Sequence, residues 1–158
     1  MRRAVLAVGS NQGDRHRMLR SAVDALAALD GVELVAESPW IETAALTPTG
    51  VDESAPAYLN GVVIIDTDLE PLELLVAVNR IEAAHGRVRI ARWGDRTLDI
   101  DIVTMQGERM TTPELTLPHP GAAEREFVLA PWLAADPDAE LPGAGRVDSL
   151  LARLRGGA

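Results

Sequence analysis

Residues 98–105 read Leu-Asp-Ile-Asp-Ile-Val-Thr-Met, and this stretch decides both the fold and the candidate site. Polar and apolar side chains alternate over its first five residues, which is typical of a strand with one buried face. The pattern predicts a strand whose leucine and isoleucines enter the core. Asp99 and Asp101 then share the other face, about 6.5 Å apart along the strand. Two carboxylates this close suit a hard divalent cation such as Mg²⁺, although the strand alone favours solvated side chains on an open sheet face.

The neighbouring segments predict the rest of an α+β domain. Three more strands are predicted from short apolar runs that end at turn residues: 3–8, 32–40 and 58–67. Helices are predicted from apolar residues at helical spacing: 15–29, 71–85 and 147–154. Residues 41–57 are expected to form a long loop. The order β-α-β-β-α-β predicts a ferredoxin-like split βαβ fold, an antiparallel sheet with helices on one face, over a single domain of residues 1–158.

Composition excludes several kinds of chemistry. The 158 residues are 47% apolar and 25% charged, which is typical of one globular domain. Absence of Cys excludes disulfides, thiolate nucleophiles and Cys-ligated zinc, and since all 15 basic residues are Arg, a lysine Schiff base and a lysine-dependent P-loop are excluded too. The net charge of -9 argues against a general nucleic-acid binder. No leader or membrane-spanning run is visible, so a cytoplasmic location is expected.

Four arginines precede the aspartate strand within ten residues: Arg87, Arg89, Arg92 and Arg96. Guanidinium groups bind phosphate oxygens in pairs, and Mg²⁺ bridges phosphates to one or two carboxylates. A loop of arginines that leads into two aspartates therefore predicts a site for a polyphosphate and a metal. The alternative is a solvated charge run that pairs with some of the 24 acidic residues.

Aromatic residues are few, and several lie beside polar groups. Tyr58 and Asn60 occupy one face of their predicted strand, Trp93 lies among the arginines, and Phe127 follows Arg125. A ring beside an amide suits stacking and edge hydrogen bonding to a flat heterocycle. For any one of these aromatic residues, packing in the core is the alternative.

Two smaller features adjoin these groups. His119 stands between two prolines, which hold it in an extended segment. A structural or surface role is favoured for a lone His, and a phosphate contact is the alternative because Arg125 follows closely. The segment Gly9-Ser10-Asn11 is predicted to turn at the end of the first strand.

Several segments, in a fixed order and at characteristic spacing, carry a resemblance to one family. They are Gly9-Ser10-Asn11, Tyr58-Leu59-Asn60, Gly86-Arg87-Val88-Arg89, residues 92–102, and Leu117-Pro118-His119-Pro120 with Arg125 and Phe127. From the first strand to about Trp132 the chain resembles the 6-hydroxymethyl-7,8-dihydropterin pyrophosphokinase family of folate biosynthesis.

The resemblance implies transfer of a diphosphoryl group from ATP to the pterin hydroxymethyl group, with release of AMP. It implies that Asp99 and Asp101 hold two Mg²⁺ ions. Catalytic phosphate contacts are implied for Arg87, Arg89 and Arg96. Further nucleotide contacts are implied for Arg92, Trp93, His119 and Arg125. The resemblance also implies that Tyr58 and Phe127 sandwich the pterin, and that further residues orient it or support the loops: Thr43, Leu46, Asn60 and Glu82.

Two other functions remain open at this point. A nucleotidyltransferase also pairs a Gly-Ser with a D-x-D strand, although Gly9-Ser10 and Asp99 are far apart in this sequence. A non-catalytic ferredoxin-like domain could bind a small regulatory ligand, although it has no need of two aspartates beside four arginines. The expected partners are ATP and the pterin, with no nucleic acid and no membrane, and the chain is expected to be a monomer.

Overall fold

The computed structural model of this chain describes residues 1–11, 14–43, 45–47, 50–52, 58–85 and 98–156. The strands are β1 (Arg2–Ser10), β2 (Val32–Glu37), β3 (Ile41–Thr43), β4 (Ala45–Thr47), β5 (Gly50–Asp52), β6 (Tyr58–Thr67), β7 (Asp99–Met105), β8 (Met110–Thr111), β9 (Thr116–Leu117), β10 (Glu140–Leu141) and β11 (Gly145–Arg146). The α-helices are α1 (Arg15–Ala27), α2 (Pro71–Ala84), α3 (Glu126–Ala135) and α4 (Val147–Leu154), and a 3₁₀ helix spans Ala122–Glu124.

The main sheet has the strand order β2-β6-β1-β7, and every neighbouring pair is antiparallel. The α1 helix connects β1 to β2, and α2 connects β6 to β7. In each case one other strand of the sheet lies between the two strands that the helix connects. This is the split βαβ arrangement, and the predicted α+β fold is confirmed. Within the described part of the chain, no helix is long and apolar enough to cross a membrane.

The helix starts that the sequence predicts agree with those of the structure. Asp14 caps α1, since its carboxylate accepts a hydrogen bond from the Arg17 N–H at 3.1 Å. At the start of α2, Pro71 occupies the first turn and the Glu73 carboxylate accepts from the Glu70 N–H at 2.9 Å. The predicted strand 58–67 and helix 147–154 both match the structure.

The predicted strand 32–40 is wrong at its end, because the strand stops at Glu37. Pro39 has no N–H to donate to a ladder, and the Ser38 hydroxyl accepts from the Val62 N–H at 2.9 Å instead. Pairing with β6 resumes in β3, and β4 pairs with β5, so the predicted loop 41–57 contains strands.

Apolar clusters lie on both faces of the sheet, so the expectation of helices on one face is wrong. On the first face, α1 and α2 cover a cluster that includes Leu6, Leu26, Ile65, Leu74, Val78 and Ile102. On the second face, α3 and α4 cover a cluster that includes Val62, Ile64, Val103, Leu129, Trp132 and Leu151. The Pro- and Gly-rich tail of the chain, for which the sequence predicts short helical pieces, thus supplies the second layer.

Candidate active site

A cavity of about 820 Å³ lies on the second face of the sheet, beside the start of α3. Its wall takes in side chains from β1, β6 and β7, at the ends where Gly9, Tyr58 and Asp99 lie. This volume is within the range of small-molecule sites. The predicted residues that line it are Tyr58, Asn60, Asp99, Asp101, Arg125 and Phe127.

The two aspartates of β7 point to this cavity, as the alternation in sequence predicts. Ile100 and Ile102 are buried in the first cluster, whereas Asp99 is half-buried and Asp101 is exposed. Among the described residues, no group of three or more His, Asp or Glu side chains is placed to hold a metal ion. A cation at this pair would therefore need further oxygen ligands from water or from a bound phosphate, as Mg²⁺ commonly has.

Strand register brings the predicted heterocycle contact close to the predicted metal ligands. Gly9 is paired with Asn60 on one side and with Asp99 on the other, and Ala7 is likewise paired with Asp101. Since neighbouring strands are about 4.8 Å apart, the Cα atoms of Asn60 and Asp99 are roughly 10 Å apart. The cavity floor beside these residues is therefore made of Ala7 and Gly9, two small residues of β1.

Gly9 leaves room for the Asn60 side chain. A Cβ atom at position 9 would be 2.8 Å from the Asn60 Oδ1 atom. The Asn60 residue is itself 7% exposed, so its amide lies in the wall with little freedom to move. A bare backbone at Gly9 is thus required for the amide to lie where it does.

Arg125 and Phe127 form one unit at the start of α3. The guanidinium carbon of Arg125 is 5.8 Å from the centre of the Phe127 ring, within the range of a cation–π contact. A Cβ atom at Gly121 would be 3.0 Å from the Arg125 Nε atom. The Arg125 side chain is therefore close to both the Gly121 backbone and the Phe127 ring. Both Arg125 and Phe127 line the cavity with Tyr58.

His119 is held next to β7 by its backbone, since its N–H donates to the Val103 carbonyl oxygen at 2.7 Å. The Gly121 N–H donates to the His119 Nδ1 atom at 3.1 Å, so the neutral ring carries its proton on Nε2. Burial lowers the pKa of His119 below its usual 6.5; the Asp101 carboxylate opposes this and the Arg125 guanidinium adds to it. The ring is thus favoured as a neutral hydrogen-bond donor.

Glu82 lies on the other side of β7 from the aspartates. It is on α2, is 3% exposed, and accepts a hydrogen bond from the Ile100 N–H at 2.9 Å. It is absent from the described lining of the cavity. The hydrogen bond thus places Glu82 against the strand that carries the two aspartates.

The Arg-rich segment lies outside the described residues, and with it the predicted nucleotide contacts Arg87, Arg89, Arg92, Trp93 and Arg96. Thr43 and Leu46 lie on β3 and β4, but their side chains are also outside what the structure describes. The roles predicted for these residues stay predictions.

Some residues that line the cavity were not predicted from the sequence. The predicted turn at Gly9-Ser10-Asn11 is wrong for its first two residues, because β1 continues to Ser10. Ala7 and Gly9 form the floor, and small residues two apart on a strand were a usable signal for it. Arg155, which pairs with Glu126 at 2.6 Å, also lines the cavity, and nothing in the local sequence indicates this.

The fold and the site define an α+β domain with an aspartate pair and a ring-lined cavity on one sheet face. The sequence model of the 7,8-dihydro-6-hydroxymethylpterin-pyrophosphokinase family matches residues 5–137. This chain belongs to that family, as its sequence predicts. Enzymes of the family transfer pyrophosphate from ATP to hydroxymethyldihydropterin in folate synthesis.

Similar curated proteins cover nearly the whole chain. The 2-amino-4-hydroxy-6-hydroxymethyldihydropteridine pyrophosphokinase of Methylorubrum extorquens is 43% identical over 154 residues, which are 98% of this chain and 94% of that protein. The protein of the same name from Mycobacterium leprae is 45% identical over 168 residues, covering 98% and 84%. That of Pseudomonas aeruginosa is 39% identical over 152 residues, covering 96% and 91%.

Solved structures support the fold. A crystal structure of an HPPK-DHPS variant from Plasmodium falciparum matches with a TM-score of 0.74 at 14% identity. The match covers 96% of this chain but 45% of that longer chain. A structure of HPPK-DHPS in complex with substrates matches with a TM-score of 0.72 at 13% identity, covering 97% and 45%. At these identities the likeness concerns the fold.

Proposed function

We propose that this chain transfers the terminal diphosphoryl group of ATP to the hydroxymethyl oxygen of 6-hydroxymethyl-7,8-dihydropterin, forming the pterin diphosphate and AMP. The pterin oxygen forms a bond to the β-phosphorus of ATP, the bond from that phosphorus to the α-phosphate oxygen breaks, and the hydroxyl proton leaves to solvent. Membership of the pyrophosphokinase family supports this reaction. The alternatives are a nucleotidyltransferase and a regulatory domain that binds without turnover.

The observation that carries the proposal is the row Asn60–Gly9–Asp99 across three strands. It has a heterocycle-binding amide at one end and a metal-binding carboxylate at the other, with a bare backbone between them. The hydroxymethyl group of a pterin that bonds to Asn60 would extend over Gly9 toward the aspartates. Holding two reactants in such proximity is the main task in phosphoryl transfer, which needs little covalent chemistry from the protein.

On the pterin side, Tyr58 and Phe127 bind the two ring faces and Asn60 bonds to the ring edge. Arg125 packs against the Phe127 ring at 5.8 Å, which restricts that ring before substrate arrives. Backbone groups near Thr43 and Leu46 complete the orientation. A neutral Asn amide, with both a donor and an acceptor, matches the alternating donors and acceptors of a pterin edge.

On the nucleotide side, Asp99 and Asp101 would hold two Mg²⁺ ions. Their fit rests on the donor set: two carboxylates on one strand face, one half-buried and one exposed, both on the cavity wall. When bound, Mg²⁺ neutralises charge on the triphosphate and orients its β-phosphate. His119 donates from Nε2 to a phosphate oxygen, and Arg87, Arg89, Arg92 and Arg96 bind phosphates, with Trp93 covering them.

We extend the proposal to the organisation of the protein. Residues 1–158 act as a single pyrophosphokinase domain and as a monomer in the cytoplasm, with no nucleic-acid partner. Coverage of 94% of a curated relative's length at 43% identity supports the single domain. The charge of -9 supports the absence of a nucleic-acid partner.

The test is AMP formation from Mg·ATP with and without 6-hydroxymethyl-7,8-dihydropterin. AMP should require the pterin, and Asp99→Asn or Asp101→Asn should lower the rate by about a hundredfold or more, because several kcal/mol of charge stabilisation are lost. Asp24→Asn is the matched control, since Asp24 is an exposed aspartate on α1 and the change in charge is the same.

Other outcomes point to other functions. Release of pyrophosphate with a nucleotidylated product would indicate a nucleotidyltransferase. Binding of Mg·ATP with no turnover by the pterin would indicate the regulatory domain. Full pterin-dependent activity in both aspartate variants would refute the metal assignment while leaving the reaction in place.

A further inference from the structure

The buried carboxylate of Glu82 has no part in the mechanism above, yet it contacts the strand that carries both aspartates. Its Oε2 atom accepts a hydrogen bond from the Ile100 N–H at 2.9 Å. Ile100 is the residue between Asp99 and Asp101. The contact is therefore made to the peptide that links the two predicted metal ligands.

The position of this bond follows from the place of β7 in the sheet. In the order β2-β6-β1-β7 this strand has β1 on one side, where Asp99 pairs with Gly9, Ile100 with Val8 and Asp101 with Ala7. Backbone N–H groups alternate in direction along an antiparallel strand. An Ile100 N–H that bonds to Glu82 thus points away from β1, and the carboxylate takes the place of a neighbouring strand.

A carboxylate at this position is costly, which makes a structural explanation by packing weak. Glu82 is 3% exposed, and it follows Leu74, Val78 and Ile81 on the face of α2 that packs in the first apolar cluster. An apolar side chain would fill the same place without the cost of burying an ionisable group. The bond to the Ile100 N–H restrains the peptide between Asp99 and Asp101, two carboxylates that repel each other.

We propose that Glu82 is a positioning residue, which holds Asp99 and Asp101 at the separation that binds divalent cations. It acts through the backbone of Ile100 and does not touch either substrate. The inference rests on the proposed function, because the aspartates must be the metal ligands for their separation to matter. Residues that orient metal ligands commonly change metal affinity by about 10- to 100-fold when they are replaced.

The test is Mn²⁺ binding in the presence of α,β-methylene-ATP, with free Mn²⁺ measured from its EPR signal. Glu82→Leu should raise the apparent Kd for Mn²⁺ by about tenfold or more. Glu82→Gln keeps an oxygen acceptor for the Ile100 N–H and should bind Mn²⁺ nearly as the parent does. In turnover, Glu82→Leu should raise the KM for Mg²⁺ and leave the KM for the pterin unchanged.

Val78→Ala is the matched control. Val78 lies one turn before Glu82 on α2, is fully buried in the first apolar cluster and does not bond to the Ile100 N–H. Truncation of its side chain should therefore lower Tm without changing the Mn²⁺ affinity. If Glu82→Leu binds Mn²⁺ as tightly as the parent, or if Glu82→Gln loses as much affinity as Glu82→Leu, the inference is overturned.

Asp99→Asn and Asp101→Asn separate this failure from failure of the proposed function. If both aspartate variants lose Mn²⁺ and Glu82→Leu does not, the metal site stands and the role of Glu82 is refuted. If neither aspartate variant loses Mn²⁺, the metal assignment fails and the role of Glu82 fails with it.

Discussion

Gly9 lies between the side of the candidate site that carries Asn60 and the side that carries Asp99. Its register partners are Asn60 and Asp99, and it contributes no side chain between them. The chain therefore places a predicted heterocycle contact and a predicted metal ligand in one row, with the backbone of Gly9 between them. Substitutions at this position test that geometry directly.

Gly9→Ala should impair pterin binding. The new Cβ atom would be 2.8 Å from the Asn60 Oδ1 atom, so the amide must turn away from the pterin. Loss of one such hydrogen bond costs about 1 kcal/mol or more, so the KM for the pterin should rise by about fivefold or more while the KM for ATP changes little. Steady-state kinetics with each substrate varied measures both. An equal rise in the two KM values would contradict this geometry.

His119 should titrate below its usual pKa of 6.5. The depressed pKa means that the unfolded state binds the proton more tightly, so protonation favours unfolding. The contribution of His119 to stability is thus complete above about pH 6.5 and is lost as the pH falls through the lower native pKa. NMR titration of the ring Cε1–H resonance, without metal, measures the midpoint.

Two variants check the causes of that shift. Asp101→Asn removes the carboxylate that opposes the shift, and the pKa of His119 should fall further. Arg125→Gln removes a cation, and the pKa should rise. A parent midpoint at or above 6.5 would show that burial does not dominate at this ring.

Among the secondary-structure elements, β6 joins most of the main sheet, because it pairs with three other strands. It pairs with β1 from Leu59 to Thr67, and its other edge pairs with β2 and with β3. The change from β2 to β3 occurs at Ser38, Pro39 and Trp40, opposite Gly61 and Val62. This junction directs Ile41 and Glu42 to the cavity.

Gly61→Ala should destabilise the protein by about 1–3 kcal/mol, since overpacking of a tight core costs that much. The new Cβ atom would be 2.1 Å from the Cε3 atom of Trp40, in the interior of a strand. Chemical denaturation followed by circular dichroism measures the loss. In a Trp40→Leu background the ring is absent and the same substitution should cost much less; equal costs in the two backgrounds would exclude the clash.

At the scale of the molecule, charge governs how the nucleotide binds. The described cavity wall carries more carboxylates than cations: Glu42, Asp99, Asp101, Glu124 and Glu126 against Arg125 and Arg155. The whole chain carries a charge of -9. A triphosphate therefore meets a net negative charge on the described part of the wall, which metal cations and the predicted arginine contacts would have to offset.

Removal of divalent metal should weaken nucleotide binding. With EDTA present, α,β-methylene-ATP should lose at least about tenfold in affinity, because the carboxylates then repel the triphosphate. Isothermal titration with and without Mg²⁺ measures this, and Asp24→Asn serves as the control for net charge. Unchanged affinity in EDTA would assign the nucleotide to the arginines without the aspartates.

The sequence by itself determined most of the main sheet and the face of its strand on which the two aspartates lie. Period-two alternation in 98–105 placed Asp99 and Asp101 on one face. The cap at Asp14 and the first-turn proline Pro71 marked where helices begin, because these signals act between residues that are close in the chain. The resemblance of its motifs to one family was sufficient to predict that family.

Only the tertiary structure decided what lies opposite these residues. The second helical layer, the floor at Ala7 and Gly9, and the bond from Glu82 to Ile100 all join segments that are distant in the chain. Such contacts depend on strand register and on which face of a helix is covered. The spacing of residues along the chain does not encode strand register or the covered face of a helix, because both depend on how the whole core packs.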